Sequence, residues 1–392
     1  MKDQGTNIRV IFAGGGTGGH VYPAVAMYEG LMERLGDDAV TAMFVGTPGG
    51  LESRLLAGVG ARLQLLPGRG VRGASLANKL MVPFDLVRGV AGGVGVIRSF
   101  RPDVVVGTGG YASVSMVVAA IVTRTPRVLQ EQNSVPGLVN RRLARFADLV
   151  LLAFTESRSA IPGGADSAVI GNPLRRLPFA DRESGARFFG LDPVRPTVLV
   201  IGGSRGAHSL NVAATEAART LVPGEGVQFI LLTGDADHEF VDKALEGLGD
   251  AVSVRAYVDE VQYAYAASDV AVARSGASSV FELATFSVPS IFVPYPYAAD
   301  DHQRLNAEAL RKSGGAVVIA DGELDGKRLA AEISALLNDA QRMLEMRDKM
   351  RSWVKTDAAV QAADQIIGLV KKNAVSVTNK GPRLVVARER VV

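Results

Sequence analysis

The chain has 392 residues, 47% of them hydrophobic, with 43 Lys and Arg against 40 Asp and Glu, four His and no Cys. That length fits about two domains of 150 to 200 residues, and the missing cysteines exclude disulfides and thiolate chemistry and fit a reducing compartment. A net charge of +3 does not mark a nucleic-acid binder, and neither an aromatic-basic repeat nor a nucleic-acid motif occurs.

Residues 1–7 are polar and run straight into a strand, leaving no room for a signal peptide, and the longest apolar run, 112–122, has about half the length a bilayer crossing needs. The protein is therefore expected inside the cell. Short apolar strands alternate with helical patterns along the chain, which predicts an α/β fold of doubly wound parallel sheets. In the first half, strands are expected at 8–13, 40–46, 62–66, 103–107, 127–130 and 148–153, followed by a connection rich in Pro, Gly and Ser at about 154–177. The pattern restarts with strands at 197–202, 227–232, 252–256, 269–273, 289–293 and 316–319. After 324 the chain reads as helical, and from Lys371 it turns basic and loses periodicity. The expected division is a first domain over 1–170, a second over 171–352, a helix over 353–372 and a basic, disordered tail over 373–392.

Three strands run directly into glycine-rich turns that open helices: 13–20, 107–111 and 202–208. Glycine lets the backbone approach an oxyanion, and the following helix contributes free N–H groups and its dipole. Three such turns in two halves predict a cleft for more than one phosphorylated group. Gly14-x-Gly16-x-x-Gly19 matches the dinucleotide fingerprint, but the second strand ends in Gly46-Thr47-Pro48 where a nicotinamide site wants an acid. Asp37 and Asp38 stand at that strand's wrong end, which disfavours a dehydrogenase.

His20, directly after the first turn, is placed to face the cleft and accept a proton. Glu131-Gln132-Asn133 follows a strand, where a carboxylate and two amides are expected to face ligand or solvent. Ser279-x-x-Glu282 is a possible capping box, while Glu282 could equally accept hydrogen bonds from a ribose diol, so both roles stay open. Asp235-Ala236-Asp237 reads as a solvated turn rather than a metal motif, and no histidine cluster suggests zinc. Between 69 and 101 lie Arg69, Arg72, Lys79, Arg88, Arg98 and Arg101 against one acid, Asp85, interleaved with Leu76, Leu80, Met81, Val82 and Phe84. With Pro83 expected to start a helix, 76–82 would form an apolar projection ringed by cations, suited to an anionic membrane surface.

Gly-Gly-Thr-Gly-Gly-His at 15–20, Gly-Gly-Tyr at 109–111, Glu-Gln-Asn at 131–133, Gly-Asn-Pro-Leu-Arg at 171–175, Gly-Gly-Ser-Arg-Gly-Ala at 202–207, Arg-Ser-Gly-Ala at 274–277 with Glu282, and Asp301-His302-Gln303 with Asn306 occur in that order. In these motifs, spread over about residues 8–355, the chain resembles the MurG family of inverting hexosyltransferases, which carry N-acetylglucosamine from UDP-N-acetylglucosamine to lipid I in peptidoglycan synthesis. The resemblance implies a GT-B architecture, two Rossmann-like domains facing a central cleft, with the last helix crossing back to the first domain. It implies that Ser204 and Arg205 meet the donor diphosphate, Val258 offers backbone to uracil, Glu282 holds the ribose and Gln303 reads the sugar. Asn133, Arg175, Ala277, Ser278 and Ser279 join the donor contacts, as do Thr17, Gly18 and Gly19, whose loop would also receive the acceptor's pyrophosphate and sugar.

Gly15, Gly16, Gly109, Gly110 and Tyr111 would receive the acceptor, with His20 as catalytic base and Glu131 as its competitor. The resemblance implies no required cofactor, leaves magnesium open, and places the protein peripherally on the cytoplasmic face of an anionic inner membrane, beside proteins of cell-wall synthesis, cell shape and division. Two departures stand out. Gln130 replaces a common histidine, a change that reads as peripheral, and Arg205 replaces a common glutamine, adding charge beside a phosphate. The rival readings are another nucleotide-sugar transferase, such as a diacylglycerol glycosyltransferase, a UDP-sugar epimerase, and a non-catalytic nucleotide-sugar binder.

Overall fold

The computed structural model describes residues 7–15, 18–48, 56, 61–67, 76–163, 165–203, 207–355 and 357–378, without the side chains of 76–82 and 376–378. The first half forms one sheet from β1 (Ile8–Gly14), β2 (Val40–Gly46), β3 (Arg62–Leu65), β4 (Val104–Gly109), β5 (Arg127–Glu131), β6 (Leu149–Leu152) and β7 (Ser167–Val169), in the order 3-2-1-4-5-6-7. The second half forms another from β8 (Thr197–Ile201), β9 (Gln228–Leu232), β10 (Val252–Arg255), β11 (Val270–Ala273), β12 (Ser290–Phe292) and β13 (Ala316–Val318), in the order 10-9-8-11-12-13.

Every pairing is parallel. The reason is legible in strands such as β1, where Val10, Ile11, Phe12 and Ala13 are all fully buried. A strand covered by helices on both faces carries a continuous apolar run instead of an alternating one.

Three local expectations change. β7 lies within the stretch read as connection and adds a seventh strand to the first sheet. Pro83 does not start a helix: it lies inside the helix Leu76–Phe100, so residues 76–82 are helical and not a separate projection. Proline sacrifices one backbone hydrogen bond there, and the remaining turns carry the helix through. At the other end, the helix expected to stop at 372 spans Ala358–Thr378, and residues 379–392 of the expected tail lie outside the described residues.

That last helix packs on the first domain. Ala362, Ala363, Ile366 and Ile367 are buried in one cluster with Phe12, Met27 and Leu31. The approach is close enough that a Cβ on Gly30 would lie 2.4 Å from the Ala359 carbonyl oxygen. Arg34 pairs with Asp364 at 2.7 Å across the same contact. A smaller cluster joins the two halves: Phe154 from the first, Phe281 from the second and Trp353 beside both, with ring centroids 4.8 to 5.8 Å apart. Among the described residues no helix is long and apolar enough to cross a membrane.

Candidate active site

Both sheets reverse their strand order once, between β1 and β4 and between β8 and β11. In open parallel sheets ligands bind outside the carboxyl ends of the strands at such points. The glycine turns are the segments that leave these strands: 14–20 after β1, 109–111 after β4, 202–203 after β8, and Arg274-Ser275-Gly276 after β11. Gly16, Thr17, Ser204 and Arg205 lie outside the described residues.

The first two turns interlock. The Gly15 amide donates to the Gly109 carbonyl at 3.3 Å, and Thr108 Oγ1 donates to the His20 carbonyl at 2.8 Å. Gly109 has φ +112°, and a Cβ there would stand 2.7 Å from His20 Cδ2 and 2.9 Å from Nε2. A Cβ on Gly110, at φ +79°, would lie 2.4 Å from the Gly15 carbonyl oxygen. These two glycines are therefore required by the neighbouring turn, independently of any phosphate.

His20 is half-buried, with Nδ1 2.9 Å from the Gly15 carbonyl oxygen. A carbonyl only accepts, so Nδ1 carries the proton and the neutral ring keeps its lone pair on Nε2. Tyr111, Gly18 and Gly19 are half-buried beside it.

Glu131 differs from expectation. It is 2% exposed, and its carboxylate faces its own loop, not ligand or solvent. Oε1 accepts from the Asn133 amide at 2.9 Å and Asn133 Nδ2 at 3.3 Å, and Oε2 from the Gly137 amide at 3.1 Å and Asn140 Nδ2 at 2.8 Å. Four donors fill the roughly four acceptor positions of a carboxylate. Glu131 thus organises the loop 131–140. Gln132 is buried as well. Gln130 is not peripheral either: it is fully buried on β5 and donates to Asn172 Oδ1 of the connection at 3.4 Å.

On the second wall, the helix Ala277–Thr285 has Gly276 as its N-cap and no side-chain cap, so Ser279 and Glu282 do not form a capping box. The box needs Ser at the N-cap itself, and here the helix begins two residues before it. Glu282 instead accepts a 2.6 Å hydrogen bond from Tyr265. Burial pushes the Glu282 pKa up, against that hydrogen bond and the Arg175 charge, which lower it, and burial drives Tyr265 well above its ordinary value.

Arg175 stacks on Tyr22 of the first domain at 4.8 Å and donates to the Asp259 carbonyl at 3.3 Å. Tyr257, beside the half-buried Val258, has its hydroxyl pushed up to about 12 by desolvation, with a hydrogen bond involving Tyr22 adding to it. Gln303 accepts from the Tyr295 amide at 3.0 Å. Ala277 is buried, and Ser278 and Ser279 are half-buried at the helix start.

Arg274 is 7% exposed and donates to the Val293 and Pro294 carbonyls, Asp321 and Ser209, tying the β11 turn to the β12 turn and to the helix His208–Glu225. Asp237 is bonded to His208 and Asn211, so it shapes the β9 turn instead of standing solvated. Among the described residues no three His, Cys, Asp or Glu side chains cluster as metal ligands.

Sequence reasoning quoted Asn306 within a motif and assigned it nothing. It is fully buried, lies one helical turn from Gln303, and touches both domains. A lone amide among Ala307, Ala309 and Leu310 was the available signal.

Residues 10–152 match the glycosyltransferase family 28 N-terminal domain, and residues 197–366 match the glycosyltransferase family 28 C-terminal domain. A Chlorobaculum tepidum protein, UDP-N-acetylglucosamine--N-acetylmuramyl-(pentapeptide) pyrophosphoryl-undecaprenol N-acetylglucosamine transferase, is 40% identical over 371 residues, covering 93% of this chain and all of its own length. A Geobacter sulfurreducens protein of the same description is 37% identical over 372 residues with the same coverage. The crystal structure of Acinetobacter baumannii MurG superposes with a TM-score of 0.72 at 25% identity, covering 93% of this chain and 99% of that one. A Listeria monocytogenes protein described as a UDP-N-acetylglucosamine 2-epimerase gives 0.69 at 15% identity, which shows a shared fold alone.

Proposed function

Since the chain belongs to glycosyltransferase family 28, we infer that it transfers N-acetylglucosamine from UDP-N-acetylglucosamine to undecaprenyl-pyrophosphoryl-N-acetylmuramyl pentapeptide, lipid I. The observation that carries the reading is the full-length match: both halves fit the family's two domains, and relatives of that activity are covered from end to end. The epimerase likeness extends only to the fold.

The acceptor's 4-hydroxyl attacks the anomeric carbon from the face opposite UDP, giving an inverted β-1,4 linkage. A base takes the hydroxyl proton while charge develops on the departing diphosphate. His20 is the base in this reading, acting through Nε2, because Gly15 holds the proton on Nδ1. Glu131, with its carboxylate fully engaged, supports the loop that carries Asn133. Glu282 holds the ribose, Val258 the uracil and Gln303 the sugar. Ser204 and Arg205 receive the diphosphate ahead of the helix His208–Glu225, whose dipole favours the leaving anion. Gly15, Gly16, Thr17, Gly18, Gly19, Gly109, Gly110 and Tyr111 line the acceptor's side.

Lipid I resides in a membrane, and the helix Leu76–Phe100 is the proposed docking element on the cytoplasmic face. Phe84 is 53% and Val87 68% exposed, and Arg88 lies over the Phe84 ring at 5.5 Å. Asp85, the single acid of the segment, is buried, so its outer surface is apolar and cationic. The deciding experiment supplies labelled UDP-N-acetylglucosamine with and without a lipid I analogue and identifies the product. A disaccharide lipid formed only with the analogue supports the transferase; conversion of the donor alone supports an epimerase.

A further inference from the structure

The two walls of the cleft are joined by a chain of side-chain hydrogen bonds that passes through Asn306. Its Oδ1 accepts from the Ser134 amide of the first domain at 2.8 Å. Its Nδ2 donates to Asn133 Oδ1, also of the first domain, and to the Ser275 carbonyl of the second, both at 3.2 Å. Each end is itself anchored. Asn133 is held by Glu131, and Ser275 stands between Arg274, fixed by four partners, and the N-cap of the helix that carries Glu282.

The bridge is buried and asymmetric. Asn306 is 0% exposed, and Ser134 Oγ and Ser275 Oγ beside it are buried without a hydrogen-bond partner among the described residues. Buried hydrogen bonds are directional, and breaking one strands its partner in low dielectric. Two domains joined by a few such bonds therefore have a preferred relative position.

We propose that Asn306 is the pin of the interdomain hinge, a positioning residue that sets how the acceptor wall meets the donor wall. It does so through its amide alone, donating to both walls and accepting from one. An aspartate of the same shape keeps the acceptor for Ser134 but sets a carboxylate against the Ser275 carbonyl. The other contacts between the domains are of different kinds: the Phe154–Phe281–Trp353 cluster is apolar and less directional, Arg175 stacks on Tyr22, and the Arg141–Asp300 pair at 3.8 Å is solvent-exposed and weaker.

The kinetic part of the test rests on the transferase reading; the distance part does not. The chain has no cysteine, so Val122→Cys in the first domain and Glu239→Cys in the second, both exposed, accept spin labels without background. In the full chain carrying Asn306→Asp, the interdomain distance distribution is expected to broaden or shift relative to the parent. kcat is expected to fall at least tenfold, with UDP affinity within about twofold.

An unchanged distribution overturns the proposal. So does a tenfold loss of UDP affinity at unchanged distribution, which would make Asn306 a donor contact. If Asn306→Asp fails to fold, Asn306→Ala, which removes all three bonds of the bridge, must change the distribution in the same direction, and Asn133→Ala, which removes one of its two bonds to the first domain, must do so to a smaller extent; parental distributions in both overturn the proposal. A change in distance in the variant, together with no lipid-dependent transfer by the parent chain, would retain the hinge and reject the reaction.

Discussion

Gly109→Ala adds one methyl group at the back of His20. The new Cβ would lie 2.7 Å from Cδ2, about 0.7 Å short of the 3.4 Å at which ordinary contact begins, so the imidazole or the turn must move by that order. A displacement approaching 1 Å at a reacting group costs about a hundredfold in rate, and the φ of +112° adds backbone strain of about 1–3 kcal/mol. For a domain of this size that strain lowers Tm by roughly 2–12 °C.

The expected result is kcat down about a hundredfold with UDP affinity unchanged, because the proposed uracil, ribose and sugar contacts Val258, Glu282 and Gln303 lie on the other wall. Gly36→Ala separates the two effects: φ is +97° with nothing within 4 Å of the new Cβ, and the site is remote from the cleft. It should lose similar stability and keep kcat within about twofold. The assay is steady-state transfer to a lipid I analogue alongside calorimetry with UDP. If Gly109→Ala keeps kcat within about threefold of the parent, the reasoning that His20 acts from its place against this turn fails.

His20→Ala should lower kcat about a hundredfold or more, whereas Glu131→Gln, which turns an amide toward its donors, should cost about 1–3 kcal/mol of stability and leave the shape of the pH–rate profile intact; loss of the acidic limb in Glu131→Gln would return the base role to Glu131. Glu282→Ala should weaken UDP binding in calorimetry and, by stranding the buried Tyr265 hydroxyl, cost about 1–3 kcal/mol of stability; an unaltered affinity would remove the ribose contact. Gly276 has φ −59° and nothing within 4 Å of an added Cβ, so Gly276→Ala should stay within about 0.5 kcal/mol in stability and still weaken UDP binding if the donor passes over this turn; parental affinity would place the donor elsewhere. For the membrane face, Leu80→Glu with Met81→Glu should reduce sedimentation with anionic vesicles, and undiminished binding would acquit this helix.

Twelve of the thirteen strands were legible to within two residues, most of them because strands buried on both faces need uninterrupted apolar runs that few other elements show, the exposed edge strand β3 being an exception. β7 escaped because Ser167-Ala168-Val169 is short, half-buried and flanked by loop residues. The site divides along a similar line. A turn between a strand and a helix fixes where His20 and Tyr111 sit, so local sequence placed them.

Partners that depend on distant contacts were not readable. Glu131 looked available until four donors from its own loop were seen to enclose it. Ser279 and Glu282 had capping-box spacing, but the N-cap is Gly276, three residues earlier than the box needs. Gly109 and Gly110 resembled phosphate-binding glycines, while what excludes a side chain there is the turn 14–20 across the sheet. Asn306 makes its bonds to residues 31 to 173 positions away, and no local pattern reports such a separation.

The helix Ala358–Thr378 has a bearing on how the polypeptide acquires its shape during synthesis. A ribosome releases β1 to β7 and the helix Gly18–Leu35 first, yet the core around Phe12, Met27 and Leu31 lacks Ala362, Ala363, Ile366 and Ile367 until the far end of the chain emerges. Domains made early ordinarily fold early, but here the earlier one waits with an apolar face open while the later one is translated. Removing the chain from 358 onward should therefore unfold the half made first and spare the half made last.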